Sequence, residues 1–290
     1  MRRESDAGFA LVATLVVLAF LSIMALMLAQ KFRASARISA MKMESVEAGA
    51  LSQAALTRAI IALTDPDLEK AWKPDGVAHA IDLDGHKVSI KIRDELGKLD
   101  INTADPELLK RLFVHVQEDE GKADQLVAAM EDWRDQDNTR RPLGAEAADY
   151  RREGRNHLPA NAPFEKVSEL AWVPGMSDAL FACVAPALTV HSQRRSIDES
   201  RAHPLLAEAL DLEIGSVPTR AVSAIRGGLG GRAFELEIVV PLKEGRDVVT
   251  RTILRITENS REPLWILARD DQVSVGASEN CKPGKHTSPE

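Results

Sequence analysis

The sequence predicts an α+β fold: a long N-terminal helix packed on an antiparallel sheet, with a large helical domain inserted between the strands. Three observations point to it. Residues 9–29 form an uncharged, predominantly apolar run without Gly or Pro, and helix-forming sequence continues behind it to residue 63. Apolar and polar residues alternate, as in a half-buried strand, at residues 86–93 and again from residue 234. Between those regions strand signals vanish, and residues 99–212 read as helical.

The N-terminal run comes first because it constrains everything after it. As a helix its 21 residues reach about 30 Å, one bilayer hydrocarbon core. A secretory signal would end a shorter apolar region in small residues; here only Ala34 and Ala36 offer such a pattern, too far downstream. The helical signal passes through residues 30–64 with Ile38, Met41, Val46, Leu51, Ala55 and Ile60 among polar residues, and Asp65-Pro66 stops it. That makes a helix of about 55 residues, roughly 80 Å long at 1.5 Å per residue. Its first half, residues 9–29, spans the membrane, and its second half is an amphipathic stalk whose apolar spacing is too irregular for a clean heptad. Lys31, Arg33, Arg37 and Lys42 follow the span while Arg2 and Arg3 precede it, so basic residues alone do not set the orientation.

Residues 65–98 form the first part of the sheet. Asp84-Gly85 between residues 80–83 and the alternating residues 86–93 is a strong hairpin signal. In the helical domain, Asp105, Pro106 and Glu107 followed by Leu108 and Leu109 read as a capped helix start. A fainter copy lies 98 residues on, where Ile197, Asp198, Ala202, Pro204, Leu206 and Leu210 match Leu99, Asp100, Ala104, Pro106, Leu108 and Leu112. Residues 163–176 have the shape of a helix-hairpin-helix: an apolar helix end, a Pro174-Gly175 turn, and Ser177 or Asp178 capping the next helix. Residues 213–270 supply the closing strands, at 234–241, 248–257 and 264–268, after a Gly-rich turn at 227–231 that lacks the Lys-Ser/Thr of a phosphate loop. Residues 271–290 read as a flexible tail.

Charge and composition remove several function classes. The net charge is −7; residues 1–30 contribute none of it and residues 31–63 contribute +3, so the remainder carries about −10. An acidic ectodomain argues against a nucleic-acid partner, and the Pro174-Gly175 turn has Glu165, Glu169 and Asp178 beside it against Lys166 alone, which favours a packing turn over a phosphate clamp. Two cysteines cannot make a disulfide scaffold; Cys183 lies in an apolar run and Cys281 in the polar tail. Seven scattered histidines, and the absence of Gly-x-Ser-x-Gly and His-Glu-x-x-His, leave no catalytic arrangement, so the chain reads as non-enzymatic. The most polar stretch, residues 131–150, sets Asp132, Asp135 and Asp137 at close spacing and adds Glu146 and Asp149. Two readings stand side by side: oxygens converging on a hard cation such as calcium, or a solvated loop of salt bridges to Arg134, Arg140 and Arg141. It is not an EF-hand, because the Gly at its sixth position and the Glu at its twelfth are missing.

The polar leader of residues 1–8, ending Ala7-Gly8 before Phe9, resembles the prepilin leader of type IV pilins and type II secretion pseudopilins. That resemblance implies cleavage between Gly8 and Phe9 by a prepilin peptidase and N-methylation of Phe9; a plain membrane anchor is the other reading of the same segment. The family usually carries Glu five residues into the mature chain, and Ala13 stands there instead. A subunit at the very tip of a pilus has no neighbour ahead whose free amine needs that carboxylate. With the missing Glu, the Leu99 to Ala104 string, the acidic block and residues 163–176 in this order, the chain resembles the K-type minor pseudopilins of type II secretion over most of its length to about Leu210. The resemblance implies a pilin-like fold with a helical insertion, and tip capping of the pseudopilus with I- and J-type minor pseudopilins. It also implies a single-pass place in a bacterial inner membrane with the bulk periplasmic, contact with the inner-membrane secretion platform, and calcium on Asp132, Asp135, Asp137, Asn138, Glu146 and Asp149. The alternatives are a membrane-anchored helix-hairpin-helix DNA-binding module and a minor pilin of a type IV pilus or DNA-uptake system.

Overall fold

The computed structural model describes residues 4–67, 69–212, 229–242, 245–259 and 261–275. The chain divides into two compact units, Met1–Gln53 and Ala54–Glu290. Helix α1 is continuous over Glu4–Leu63 and begins ahead of the apolar run. In the first unit, the apolar side chains from Leu11 to Leu28 are all exposed, and the helix is long and apolar enough to cross a membrane.

The second unit opens with the last turns of α1, where Ala55, Leu56, Ala59, Ala62 and Leu63 are buried at helical spacing. The five-stranded antiparallel sheet has the order β1-β2-β5-β6-β7, with β1 Asp75–Leu83, β2 His86–Asp94, β5 Ala233–Pro241, β6 Arg246–Ile256 and β7 Leu264–Val275. The β1–β2 hairpin turns on Asp84 and Gly85, at φ 51° and 82°, the left-handed pair that matches strand twist. One face buries Ile90 opposite Ile238, Ile92 opposite Leu236, and Thr250 and Thr252 behind them on β6. On the other face Glu237 lies between Lys91 and Arg251, at 3.2 and 3.1 Å, an ionic row suited to water. Strand β7 runs seven residues beyond Ala268, the expected end, so the tail expected from residue 271 begins with strand. Residues 276–290, the rest of that tail with Cys281, lie outside the described residues, as do Gly227 and Gly228 of the Gly-rich turn and residues 213–228 ahead of it.

Neighbouring strands β2 and β5 are separated in sequence by the whole helical domain, which is therefore an insertion into the sheet. Its entry is tied to the stretch ahead of the second repeat by a two-residue parallel ladder that the sequence pattern did not reveal, β3 Leu99–Asp100 with β4 Leu188–Thr189. Helix α2 (Pro106–Gln117) starts where expected: Asp105 accepts from Glu107 N–H at 3.0 Å and Pro106 opens the first turn. It buries Leu109, Leu112, Phe113 and Val116 against α3 (Glu120–Arg134), α5 (Asp178–Val184) and α6 (Pro204–Ala209).

Hydrogen bonds give the 98-residue repeat a physical form. Asp105 N–H donates to Arg195 O at 3.0 Å, and His203 N–H, 98 residues on, donates to Gly97 O at 2.9 Å, 98 residues before Arg195. Asp100 accepts from Asn102 N–H, and Asp198 from Ser200 N–H, at 2.9 and 3.1 Å. Each copy thus seats its helix start on the other. Gly97 is needed at this seat, since a Cβ there would meet the Arg201 carbonyl at 2.0 Å.

The copies differ in their caps. In the second, the imidazole Nδ1 of His203 accepts from Leu205 N–H at 3.3 Å, a role open only to an unprotonated nitrogen. Burial, with Arg93 and Lys98 nearby, depresses its pKa to about 4. The folded pKa lies below the unfolded 6.5, so this contribution to stability is complete above about pH 6.5 and is lost as pH falls towards 4. His203→Asn keeps an acceptor without the titration. Its melting temperature should therefore drop less between pH 7 and pH 4.5 than that of the parent protein; equal drops would show that His203 is not responsible.

Candidate metal centre

The acidic block folds around the end of α3. Asp132, fully buried on its last turn, accepts from the Arg141 backbone N–H at 3.2 Å and from the Arg141 guanidinium at 3.0 Å. Asp135, the C-cap, also takes the Arg141 guanidinium, and Glu131 lies 3.5 Å from it. The Asp135 and Asp132 carboxylates hold the Arg141 pKa above its usual range. Asp137 closes a tight turn by accepting from Thr139 N–H at 2.7 Å, which holds its carboxyl below the ordinary range. Gly144 passes so close over Asp132 that a Cβ would lie 2.1 Å from Oδ2.

The loop then delivers Glu146, N-cap of α4 (Ala147–Arg152). Asp149 reaches back to Glu146 N–H at 3.0 Å and lies 3.0 and 3.6 Å from Arg152 and Arg140. The backbone N–H groups of Ala147 and Asp149 face the Glu146 carboxylate at its cap, but neither buried oxygen makes a well-formed hydrogen bond among the described residues. Burial and then the nearby Asp132 push its carboxyl above the ordinary range. Asp135 Oδ1 is likewise buried without a partner.

One oxygen each from Asp135, Asp137 and Glu146 lie within 4.8 Å of one another. Ligands at 2.3–2.6 Å around a single calcium ion are at most about 5 Å apart, so these three fit one hard cation. Orphaned oxygens on two of the three make the fit chemical as well as spatial. The other residues expected to bind are occupied elsewhere: Asp132 by Arg141, Asp149 by its cap and two arginines, and Asn138 by Asn161 at 3.2 Å. The salt bridges to Arg134, Arg140 and Arg141 expected of a solvated loop form beside the converging carboxylates.

Beneath the loop lies an aromatic floor that sequence reasoning missed. Trp133 stacks on Phe164 at 5.6 Å, with Tyr150 and Trp172 at 6.1 and 6.2 Å. Asn102 ties Phe164 to the first repeat through both of its backbone groups, at 2.9 and 2.8 Å. The Pro174-Gly175 turn belongs to this core. Val173 and Met176 are buried and a Cβ on Gly175 would lie 3.9 Å from Leu126, while the arm before the turn is a 3-10 segment, Val167–Trp172, rather than the expected α-helix. Ser177 caps α5 as expected, accepting from Leu180 N–H at 3.2 Å. Cys183 is buried in the same core.

A long apolar N-terminal helix, an antiparallel sheet and a helical domain inserted between adjacent strands make a pilin-like α+β architecture. Residues 91–193, which span the insertion's entry, the acidic block and the Pro174-Gly175 turn, match the family described as type II secretion system (T2SS), protein K. The type II secretion system protein K of Klebsiella pneumoniae is 26% identical over 252 residues, which cover 77% of this chain and 76% of that protein. A chain in the crystal structure of the GspK-GspI-GspJ complex from the enterotoxigenic Escherichia coli type 2 secretion system shares the fold, with a TM-score of 0.59 at 16% identity over 81% of this chain and 99% of that one. The resemblance to K-type minor pseudopilins seen in the sequence is borne out by the family match and by the Klebsiella relative, and the structural neighbour shares the fold.

Proposed function

We propose that this protein is a minor pseudopilin that caps the tip of the type II secretion pseudopilus and serves protein export through assembly with I- and J-type minor pseudopilins. The observation that carries the reading is where the family match falls. It covers most of the inserted helical domain, as far as residue 193, the part that a plain membrane anchor or an ordinary pilin has no need of. The role is structural and not enzymatic, as for the family's other secretion-system components. Residues 9–29 hold the chain in the inner membrane with its bulk in the periplasm, where it meets the secretion platform. Ala13, in place of the usual Glu, suits a subunit with no neighbour ahead of it. The centre at Asp135, Asp137 and Glu146 takes calcium, which joins α3's end to the start of α4 and neutralises carboxylates that otherwise repel.

Co-expression of the full-length chain with I- and J-type partners tests this. A three-way complex should copurify in detergent and weaken on chelation; no complex with or without calcium would return the chain to a stand-alone anchor. The prepilin leader makes a separate prediction. Gly8→Ala should leave the protein at its uncleaved size on an immunoblot, without a methylated Phe9, and secretion should fall to the level of a deletion strain. Normal secretion by an uncleaved chain would overturn the leader's role.

A further inference from the structure

The charge pattern just beyond the apolar run is not used by the tip role. Lys31, Arg33, Arg37 and Lys42 are all exposed on α1, and no acidic residue occurs between residue 31 and Glu44. The head before the run is different, since Arg2 and Arg3 are matched there by Glu4 and Asp6. At about 100° per residue, Arg33 and Arg37 lie about 40° apart on one side of the helix, and Lys31 and Lys42 about 20° apart on the opposite side. The cations therefore form a collar and not an amphipathic stripe.

Helical side chains lean towards the helix N-terminus, and here that direction is back towards the apolar run. Lys31 and Arg33 lie about 3 and 6 Å beyond Ala29, inside a headgroup layer about 5–7 Å deep. Arg37, about 12 Å out, reaches back to the layer's edge, and Lys42 stands further away in the screened field.

We propose that Lys31, Arg33 and Arg37 form a binding collar for the phosphodiester headgroups of anionic phospholipids, phosphatidylglycerol in particular, in the leaflet at the C-terminal end of the span. The inference rests on the reading of residues 9–29 as a membrane anchor. A basic residue at a membrane surface favours anionic lipid by about fivefold. The collar adds a salt-sensitive hold that must be released when the subunit leaves the bilayer.

The test reconstitutes the uncleaved full-length protein, made without a prepilin peptidase so that Arg2 and Arg3 are retained, in phosphatidylcholine bilayers with trace spin-labelled phosphatidylglycerol or spin-labelled phosphatidylcholine. The motionally restricted fraction of each is then read by electron paramagnetic resonance. We expect at least a threefold preference for phosphatidylglycerol in low salt. It should fall towards one in 0.5 M NaCl and in the triple variant Lys31→Gln, Arg33→Gln, Arg37→Gln, and stay unchanged in Arg2→Gln, Arg3→Gln. Restricted lipid with no preference, a preference that survives the triple variant, or one lost with the head variant would overturn the collar and leave the anchor standing. No restricted lipid of either kind would remove the anchor and the collar together. Replacing chloride by inorganic phosphate at equal ionic strength separates the two phosphate sources: a preference lost in phosphate alone would assign the cations to free phosphate and sink the lipid proposal.

Discussion

Asp94→Ala should cost about 3–5 kcal/mol, the usual loss when one partner of a buried ion network is removed and the others stay charged. Asp94 is the last residue of β2, 3% exposed; it accepts from the guanidinium of Arg232 and is ion-paired with that of Arg201 at 3.2 Å. It also accepts from Leu96 N–H at 3.0 Å, which shapes the turn into the insertion. Arg201 comes from the second repeat and Arg232 immediately precedes β5, so one carboxylate ties the strand that leaves the sheet, the inserted domain and the strand that returns. Burial lowers the pKa of both arginines, which shows how poorly either charge is solvated. At about 2–4 °C per kcal/mol for a domain of this size, the melting temperature of the full-length protein in detergent should fall by about 10 °C. The triple variant Asp94→Leu, Arg201→Met, Arg232→Met should recover most of the loss, because the one charge it leaves unpaired, Asp198 beside Arg201, is a third exposed and stays solvated. A drop of under about 1 kcal/mol for Asp94→Ala would show that water reaches the arginines and that the network holds nothing together.

The features read correctly from sequence share one property: their causes are local. The apolar run, the Asp84-Gly85 hairpin, the Asp105-Pro106 helix start and the Ser177 cap depend on residues within a turn or two of one another. The repeat was visible for the same reason, as each copy needs its own Asx turn and its own Pro at the helix start. What stayed hidden depends on partners far apart in the chain. Lys98 is 5% exposed between Glu95 and Glu235, each at 2.8 Å; burial works against its charge, but the two carboxylates outweigh it and raise its pKa. Nothing near Lys98 in the sequence announces Glu235. The acidic block lies between these cases. Its composition declared a cation site or a salt-bridged loop, but Arg141 decides which carboxylates remain available, and that depends on how the loop folds back over Asp132. In the same way, β7 continues through polar residues because β6 offers partners as far as Arg246, a condition that alternation within residues 264–275 does not display.

Calcium should raise the melting temperature of the full-length protein by about 5–10 °C, and most strongly at neutral pH. A ligand at a hundred times its dissociation constant stabilises by about 2.7 kcal/mol, which sets the size of the shift. The pH dependence follows from Glu146, whose folded pKa is raised by burial and by Asp132, with Asp135 and Asp137 adding to it. For a raised pKa the stabilising contribution is complete below the unfolded value of 4.5 and is lost as pH climbs through the folded value. The metal-free protein therefore carries at neutral pH a buried carboxylate faced by the Ala147 N–H and crowded by other carboxylates, and calcium supplies the missing positive charge. At pH 4.5 the proton already does this, and the cation should add little. Glu146→Gln separates the two effects: the metal-free variant should melt at or above the parent at pH 7.5, and its response to calcium should shrink to about 1 °C. Magnesium should stabilise less, since three carboxylates on a flexible loop do not impose the tight octahedral geometry that it demands. A calcium shift that survives Glu146→Gln at full size would place the ion elsewhere. No shift at millimolar calcium would leave the block as the salt-bridged loop built around Arg141.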